Sequence, residues 1–387
     1  MAIELSRLIR KVEHMDITLL GGEAGLHNLV SWFLMVESVE AAEFLNDGDI
    51  VFTTGLGLTK DFQLSDLIKS IEPRNPSGII VNTGPFIEQV PQNAIDYCNQ
   101  ISLPIFMVPW KIHLAEIIRI FCFCITKDEQ KELQAAAAFK NAILFPDQKE
   151  LYTTALSQQN FQNDWQYAAC VMEIGGVKNN LSRSIEGLTA FLRNSILHTY
   201  KDCTIFSNQT EIIAIAANYT ENELYAFSED LRTYALRYLS PGETIFFGVG
   251  RLTKSIRCLY KSYQQAKAIE QLQAKDKIPN TMFFFSHMGL YRLLIGIEDQ
   301  AIIRDYFDNT LGPLFDYDTA NNSDLTTVLH TYLQNNGSVK DTAAELFVHR
   351  NTVNYKLNKI SDLLSLDLSS LDVRMQLMIA FMLKDIL

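Results

Sequence analysis

Residues 338–364 read SVKDTAAELFVHRNTVNYKLNKISDLL, two helical patterns separated by a tight turn. The first opens with the Ser338–Asp341 spacing of a capping box. In such a box the Ser338 hydroxyl accepts from the Asp341 amide, and the Asp341 carboxylate reaches back to the Ser338 amide. Ala343, Ala344 and Leu346 are small or apolar, so another helix can cross closely over them. Phe347, Val348 and His349 interrupt the pattern. A new period then runs through Val353, Leu357, Ile360 and Leu364, spaced i, i+4, i+7 and i+11. This is the sequence form of a helix-turn-helix, whose second helix enters the major groove of DNA.

With Val353 as the core direction and about 100° per residue, Asn351, Tyr355 and Asn358 fall opposite the core. Asn354 and Lys359 flank that face. Arg350 and Lys356 lie nearer the body, where long side chains reach phosphates. From His349 to Lys359 there are three cations (Arg350, Lys356 and Lys359) and no acid. Asn pairs bidentately with adenine, whereas Thr352, Tyr355 and the lysines suit phosphates. The expected DNA-contacting residues are therefore His349, Arg350, Asn351, Thr352, Asn354, Tyr355, Lys356 and Lys359.

The whole chain sets this segment in contrast. Its 387 residues exceed one core and imply two or three domains. A net charge of −12 excludes coating nucleic acid or an anionic membrane by bulk charge, so any DNA contact must come from a local patch. The six cysteines are scattered, without a CxxC, as in a reducing compartment. The N-terminus shows no cleavable signal pattern, and the apolar run at 117–125 is broken by Arg119 and too short for a membrane span. These features imply a soluble, cytoplasmic protein with no membrane partner.

Strand-like runs at 49–54 (DIVFTT), 78–83 (GIIVNT) and 103–108 (LPIFMV) alternate with helical patterns at 64–71 and 91–101, which predicts a parallel α/β sheet. Ligands of such sheets sit beyond the carboxyl ends of the strands. There Thr53, Thr54, Asn82, Thr83 and Trp110 would gather around a small-molecule effector. A continuous helix is expected over 113–144, its middle rich in Lys, Glu, Gln and Ala, as in an exposed connector that pairs in dimers.

The middle region has strands at 167–174, 203–207, 211–216 and 244–249, a hairpin turn at Asn208 and Gln209, and helices at 185–200, 221–238 and 259–273. The order β-α-β-β-α-β predicts an α+β, ferredoxin-like core. Residues 286–320 read as helix with a break at LGPL (311–314). A closing helix starts at a second capping-box pattern, Ser369 with Asp372, and carries Leu371, Met375, Met378, Phe381 and Met382 on its apolar side.

The LGPL segment, the AAELFVHRNTVNYKLNKI block (343–360) and the acidic-capped last helix together resemble the PucR/CdaR-type bacterial transcriptional regulators. In that family this block is the DNA-binding helix-turn-helix, its recognition helix opening at HRNT, here His349, Arg350, Asn351 and Thr352. Residues 25–58, 77–84 and 103–110 are similar to the family's sensory domain, and residues 248–272 to its GGDEF-like domain. The resemblance implies a multidomain chain: an α/β sensory domain (1–126), a linker helix (127–146), a GGDEF-like α+β domain (147–280), a helical connector (281–322) and an all-α helix-turn-helix domain (323–387). Two departures bear on chemistry. The hairpin SNQTEI (207–212) has no glycine and one acid, so metal-assisted phosphoryl transfer lacks its ligands. Lys356 stands where the family more often has Arg.

No catalytic or metal constellation is present: the seven histidines are dispersed, GGEAG (21–25) completes no dinucleotide fingerprint, and GLGL (55–58) lacks a Walker lysine. No cofactor or metal is expected. The leading expectation is a non-enzymatic, ligand-responsive regulator of a metabolic pathway. Its partners are a double-stranded DNA operator, a small-molecule effector of unknown identity, and further copies of itself in a homodimer or higher homo-oligomer. The alternative is a nucleotide-binding protein or enzyme built on the middle domain.

Overall fold

The computed structural model describes residues 3–176, 181–197 and 199–387. The chain divides into two compact units, Met1–Asn163 with Glu186–Phe206, and Asp164–Ile185 with Ser207–Leu387. Among the described residues no helix is long and apolar enough to cross a membrane, and no two cysteines are joined in a disulfide.

The first unit begins β1 (Ile3–Glu4), α1 (Leu5–Val12), β2 (Thr18–Gly21), β3 (Leu29–Val30), β4 (Trp32–Met35) and α2 (Val39–Ala42). It continues β5 (Asp49–Thr53), α3 (Leu64–Ile71), β6 (Gly78–Thr83), α4 (Gln92–Gln100), β7 (Ile105–Pro109), α5 (Leu114–Leu144) and α6 (Thr153–Gln158). Strands β4 to β7 run parallel and β2 pairs antiparallel with β7, in the order β2-β7-β6-β5-β4. The three strands expected from sequence form the middle of this sheet. Edge strands β2 and β4 add to them; both are short and partly exposed, so neither makes the buried apolar run that marks a central strand.

Alternate residues of each strand serve two cores. Ile50, Phe52, Phe106 and Val108 face α1 and α5. Val51, Ile79, Val81 and Ile105 face α3 and α4. Fully burying each such Val, Ile or Phe contributes about 1.5–3 kcal/mol.

The chain then forms β8 (Tyr167–Gly175), α7 (Leu181–Ile196), β9 (Cys203–Asn208), β10 (Glu211–Ala217), α8 (Glu221–Tyr238), β11 (Thr244–Val249) and α9 (Leu259–Ala274). Strand β8 lies between β10 and β11 and is antiparallel to both. Helix α7 runs from Leu181 to Ile196 rather than over 185–200. The turn falls on Gln209 and Thr210, since Asn208 is the last residue of β9.

Residues 286–320 carry α10 (Tyr291–Ile295), α11 (Gln300–Thr310) and α12 (Gly312–Asn321). Pro313 sits in the first turn of α12, where its missing amide leaves no helical bond unmade. Helices α13 (Leu325–Gln334), α14 (Val339–Glu345), α15 (Arg350–Leu364) and α16 (Leu371–Ile386) complete the chain. Their core joins Leu311, Leu329, Val353, Ile360, Leu377 and Phe381.

Two expectations about α16 are corrected. Ser370, not Ser369, is its N-cap and makes no side-chain cap bond; Ser369 instead bonds through its amide and hydroxyl to Asp367 Oδ1. Leu371 and Met375 are exposed, and the buried stripe is Leu377, Ala380, Phe381 and Leu383.

Candidate DNA-binding interface

Helix α14 is capped by Ser338, whose hydroxyl accepts from the Asp341 amide at 3.3 Å. The reciprocal half of the expected box is not formed, because the Ser338 amide donates to the Asn335 carbonyl at 2.9 Å. Ala343 is buried and Ala344 exposed, so only one of the small residues serves the close crossing. Between α14 and α15 the chain reverses at Phe347, which adopts φ of 56° and is 96% exposed. A left-handed, solvent-facing Phe satisfies no packing demand, and strain of this kind gathers at functional turns. Phe347 is a feature of this turn that the helical period did not single out.

His349 is the N-cap of α15, its Nδ1 accepting from the Asn351 amide at 3.2 Å. The cap fixes where the helix starts, and so where Arg350, Asn351 and Thr352 project. Val353, Leu357 and Ile360 are buried as the period requires. Arg350, Asn351, Thr352, Asn354 and Tyr355 are exposed, Tyr355 by 67%. Among the described residues, the side chains of Arg350, Asn351, Thr352 and Asn354 make no hydrogen bond or ion pair with the protein. The helix thus presents a row of unengaged donors and acceptors.

The two lysines differ from that row. Lys356 Nζ is gripped by both Asp324 oxygens, at 2.5 and 2.6 Å, and so ties α15 to the start of α13. Lys359 is half-buried and its ammonium lies over the Tyr317 ring, 4.6 Å from its centroid.

Asp324 is spent on Lys356, and another carboxylate caps α13. Asp318 accepts from the Leu325 amide at 2.9 Å, the Thr326 amide at 2.8 Å and the Thr326 hydroxyl at 2.7 Å. Burial works to raise the Asp318 carboxyl, but hydrogen bonds from Ser323, Thr326 and Leu325 outweigh it and hold the group below its usual range. The stabilisation is present above the unfolded-state carboxyl value near 4 and is lost as pH falls through the lower folded-state value. Asp318→Ala is expected to cost about 1–2 kcal/mol by urea unfolding at neutral pH, the cost shrinking in acid below about pH 4.

In the first unit the five expected effector residues are largely engaged. Glu37, from the loop after β4, places its carboxylate beyond β5. It accepts from the Thr53 hydroxyl (3.0 Å), the Thr54 amide (2.7 Å) and hydroxyl (2.8 Å), and the amides of Gly55 (3.0 Å) and Leu56 (3.1 Å). A Cβ at Gly57 would lie 1.8 Å from the Glu37 carbonyl oxygen, so only glycine lets the loop close on this residue. The buried Asn82 amide donates to the carbonyls of Val108, Pro109 and Ile112. Thr83 donates weakly to Val108 O at 3.4 Å. Trp110 is exposed and meets Phe86 edge to face at 6.0 Å.

Residues 8–125 match the purine catabolism regulatory protein-like family, residues 148–272 a GGDEF-like domain, and residues 325–383 the PucR C-terminal helix-turn-helix domain. The chain belongs to the PucR-type family. The proline-responsive transcriptional activator PutR of Bacillus subtilis is 26% identical over 66% of this chain and 63% of its own length. The DNA-binding transcriptional activator AdeR of the same organism is 25% identical over 54% and 49%. The carbohydrate diacid regulator of Escherichia coli is 32% identical over 32% of each chain. The chain spans less than two thirds of the length of these relatives.

In the GGDEF-like domain of this PucR-type chain, a lysine stands among the carboxylates. Lys267 Nζ lies 2.6 Å from Glu270, 3.0 Å from Glu211 and 3.3 Å from Glu173. The Tyr263 hydroxyl donates to Glu211 at 2.7 Å. Burial pushes the Glu270 carboxyl up to about 7 against the pull of Lys267. The point where β8 and β10 bring their acids together is therefore held by an ammonium group that is part of the chain.

Proposed function

We propose that this chain is a cytoplasmic, ligand-responsive transcriptional regulator that binds a double-stranded DNA operator through α14 and α15, as a homodimer or higher homo-oligomer. The observation that carries this reading is the exposed row of Arg350, Asn351, Thr352, Asn354 and Tyr355, with Asn351 and Tyr355 opposite a buried Val353–Leu357–Ile360 stripe. The printed names of the relatives, transcriptional activators and a regulator, support it. Scattered cysteines that form no disulfide among the described residues support the compartment.

The organisation proposed is a sensory domain over 1–126, a connecting helix over 127–146, a GGDEF-like domain over 147–280, a connector over 281–322 and the reading head over 323–387. The β-α-β-β-α-β order with β8 between two antiparallel neighbours supports a ferredoxin-like middle domain. Lys267 among Glu173, Glu211 and Glu270 supports a non-catalytic role for it.

The test is titration of the purified chain against fragmented genomic DNA, followed by affinity for a recovered site at several salt concentrations. Specific binding that weakens as salt rises is expected. Arg350→Ala, which removes an exposed and unengaged cation, lowers the slope of log affinity on log salt by about one, while Lys356→Ala, its ammonium already held by Asp324, leaves the slope nearly unchanged. GTP turnover without specific DNA binding would overturn the reading.

A further inference from the structure

A groove of about 500 Å³ runs between α1 and the first half of α5, within the range of small-ligand sites. Its floor is apolar, made by Ile3, Leu8 and Ile120. Phe123 forms one wall and is 66% exposed, an unusual position for a Phe on a helix whose other face is core.

Around this floor stand four cations, Arg7 and Lys11 on α1 and Lys127 and Lys131 on α5, against one acid, Asp128. Each helix contributes its two cations at i and i+4, on one face and pointing to the same space. Like charges at that spacing repel by about 0.2–0.5 kcal/mol per pair. The chain accepts this twice, on facing helices, while carrying −12 overall. Asp128 offsets little of it, lying 3.7 Å from Arg7 across an exposed pair. Along α5 the lining turns from apolar (Ile120, Phe123, Cys124) to cationic (Lys127, Lys131), and Lys127 stands over the Phe123 ring at 5.8 Å.

We propose that this groove is the effector site and that its ligand is a small amphipathic anion, an apolar chain ending in a carboxylate. The tail lies on Leu8, Ile120 and Phe123, and the head is held by the lysines. The argument for this occupant is charge complementarity joined to an apolar floor; neither a sugar nor a free inorganic anion would use both. The inference rests on the proposed regulator only in calling the ligand an effector. A ligand bridging the two helices would also fix the root of α5, which continues unbroken to Leu144, about 46 Å at 1.5 Å per residue.

The test is calorimetric titration of the full chain with decanoate below its micellar concentration, beside decanol and acetate. Saturable binding of decanoate is expected, with decanol and acetate each at least about tenfold weaker. The double charge reversal Lys127→Glu with Lys131→Glu, at exposed positions that leave the fold intact, should weaken decanoate by about tenfold or more. Ile120→Trp, which fills the floor, should abolish it. Equal affinity for decanol, unchanged affinity in the charge-reversed variant, or no saturable binding would each overturn the proposal. So would a change of oligomeric state in these variants without decanoate binding, which would mark the groove as a contact between copies, or binding to anionic vesicles alone. DNA affinity measured on the same preparation without decanoate separates the two readings. A chain that binds decanoate but no specific DNA keeps the groove and loses the regulator.

Discussion

Replacing Lys267 with Met is expected to destabilise the second unit by about 3–5 kcal/mol near neutral pH, measured by urea unfolding. Met fills a similar volume, so the loss is electrostatic. Without the ammonium, Glu173, Glu211 and Glu270 face one another, and the Glu270 side chain is only 2% exposed. The pH dependence has a definite sign. The folded-state Glu270 carboxyl lies at about 7, above its ordinary 4.5, so the protonated form favours the fold. Its contribution is present below the ordinary value and fades as pH rises through about 7. The variant's carboxyl climbs further, so its deficit is largest above pH 7 and shrinks toward pH 5. Removing the charge as well, in Lys267→Met with Glu270→Leu, should recover most of the loss, because a buried pair replaced by apolar side chains is often neutral. A deficit below about 1 kcal/mol at pH 8 would show that water, not Lys267, solvates these acids.

The cluster also shows what sequence reading can and cannot reach. The hairpin SNQTEI reveals the missing glycine and the single acid. It does not reveal that the ammonium of Lys267, more than fifty residues on, lies 3.0 Å from the hairpin's acid, Glu211. The same limit governs the sensory residues. Thr53, Thr54 and Asn82 lie at the strand ends as the α/β pattern requires, since strand ends follow from apolar runs and glycines. Their partners come from elsewhere: Glu37 from the loop after an edge strand, and the Asn82 carbonyls from β7 and beyond. Position along a strand is a local property, whereas engagement of a polar group is settled by tertiary packing. The groove between α1 and α5 was likewise hidden, because it needs two helices separated by a whole sheet in sequence. The reading head was the most legible part. Its period, caps and turn lie within residues 338–364, and the misses there are local: a half-formed box at Ser338, an ion pair on Lys356, and a left-handed Phe347 where glycine is the usual occupant.

On the reading head, Asn351→Ala or Tyr355→Ala should cost about 1–3 kcal/mol on the cognate site and little on random DNA. The fold gives reason to expect this separation. Both side chains point opposite Val353, and Tyr355 is 67% exposed, so truncation removes no core contact. Circular dichroism and unfolding midpoints should match those of the parent chain. Equal losses on both DNAs would place these residues on the phosphate backbone instead of on base edges. The size of the loss also bears on assembly. With Lys356 held by Asp324 and Lys359 resting on Tyr317, Arg350 is the one cation of α15 both exposed and unengaged among the described residues. A head with so little free charge, on a chain of −12, gains little from phosphates and depends on its base contacts. In the proposed homodimer, two heads at fixed spacing would supply that affinity. In a dimeric complex each substitution acts twice, so the measured cost on a two-half-site operator should approach double that on a single half-site.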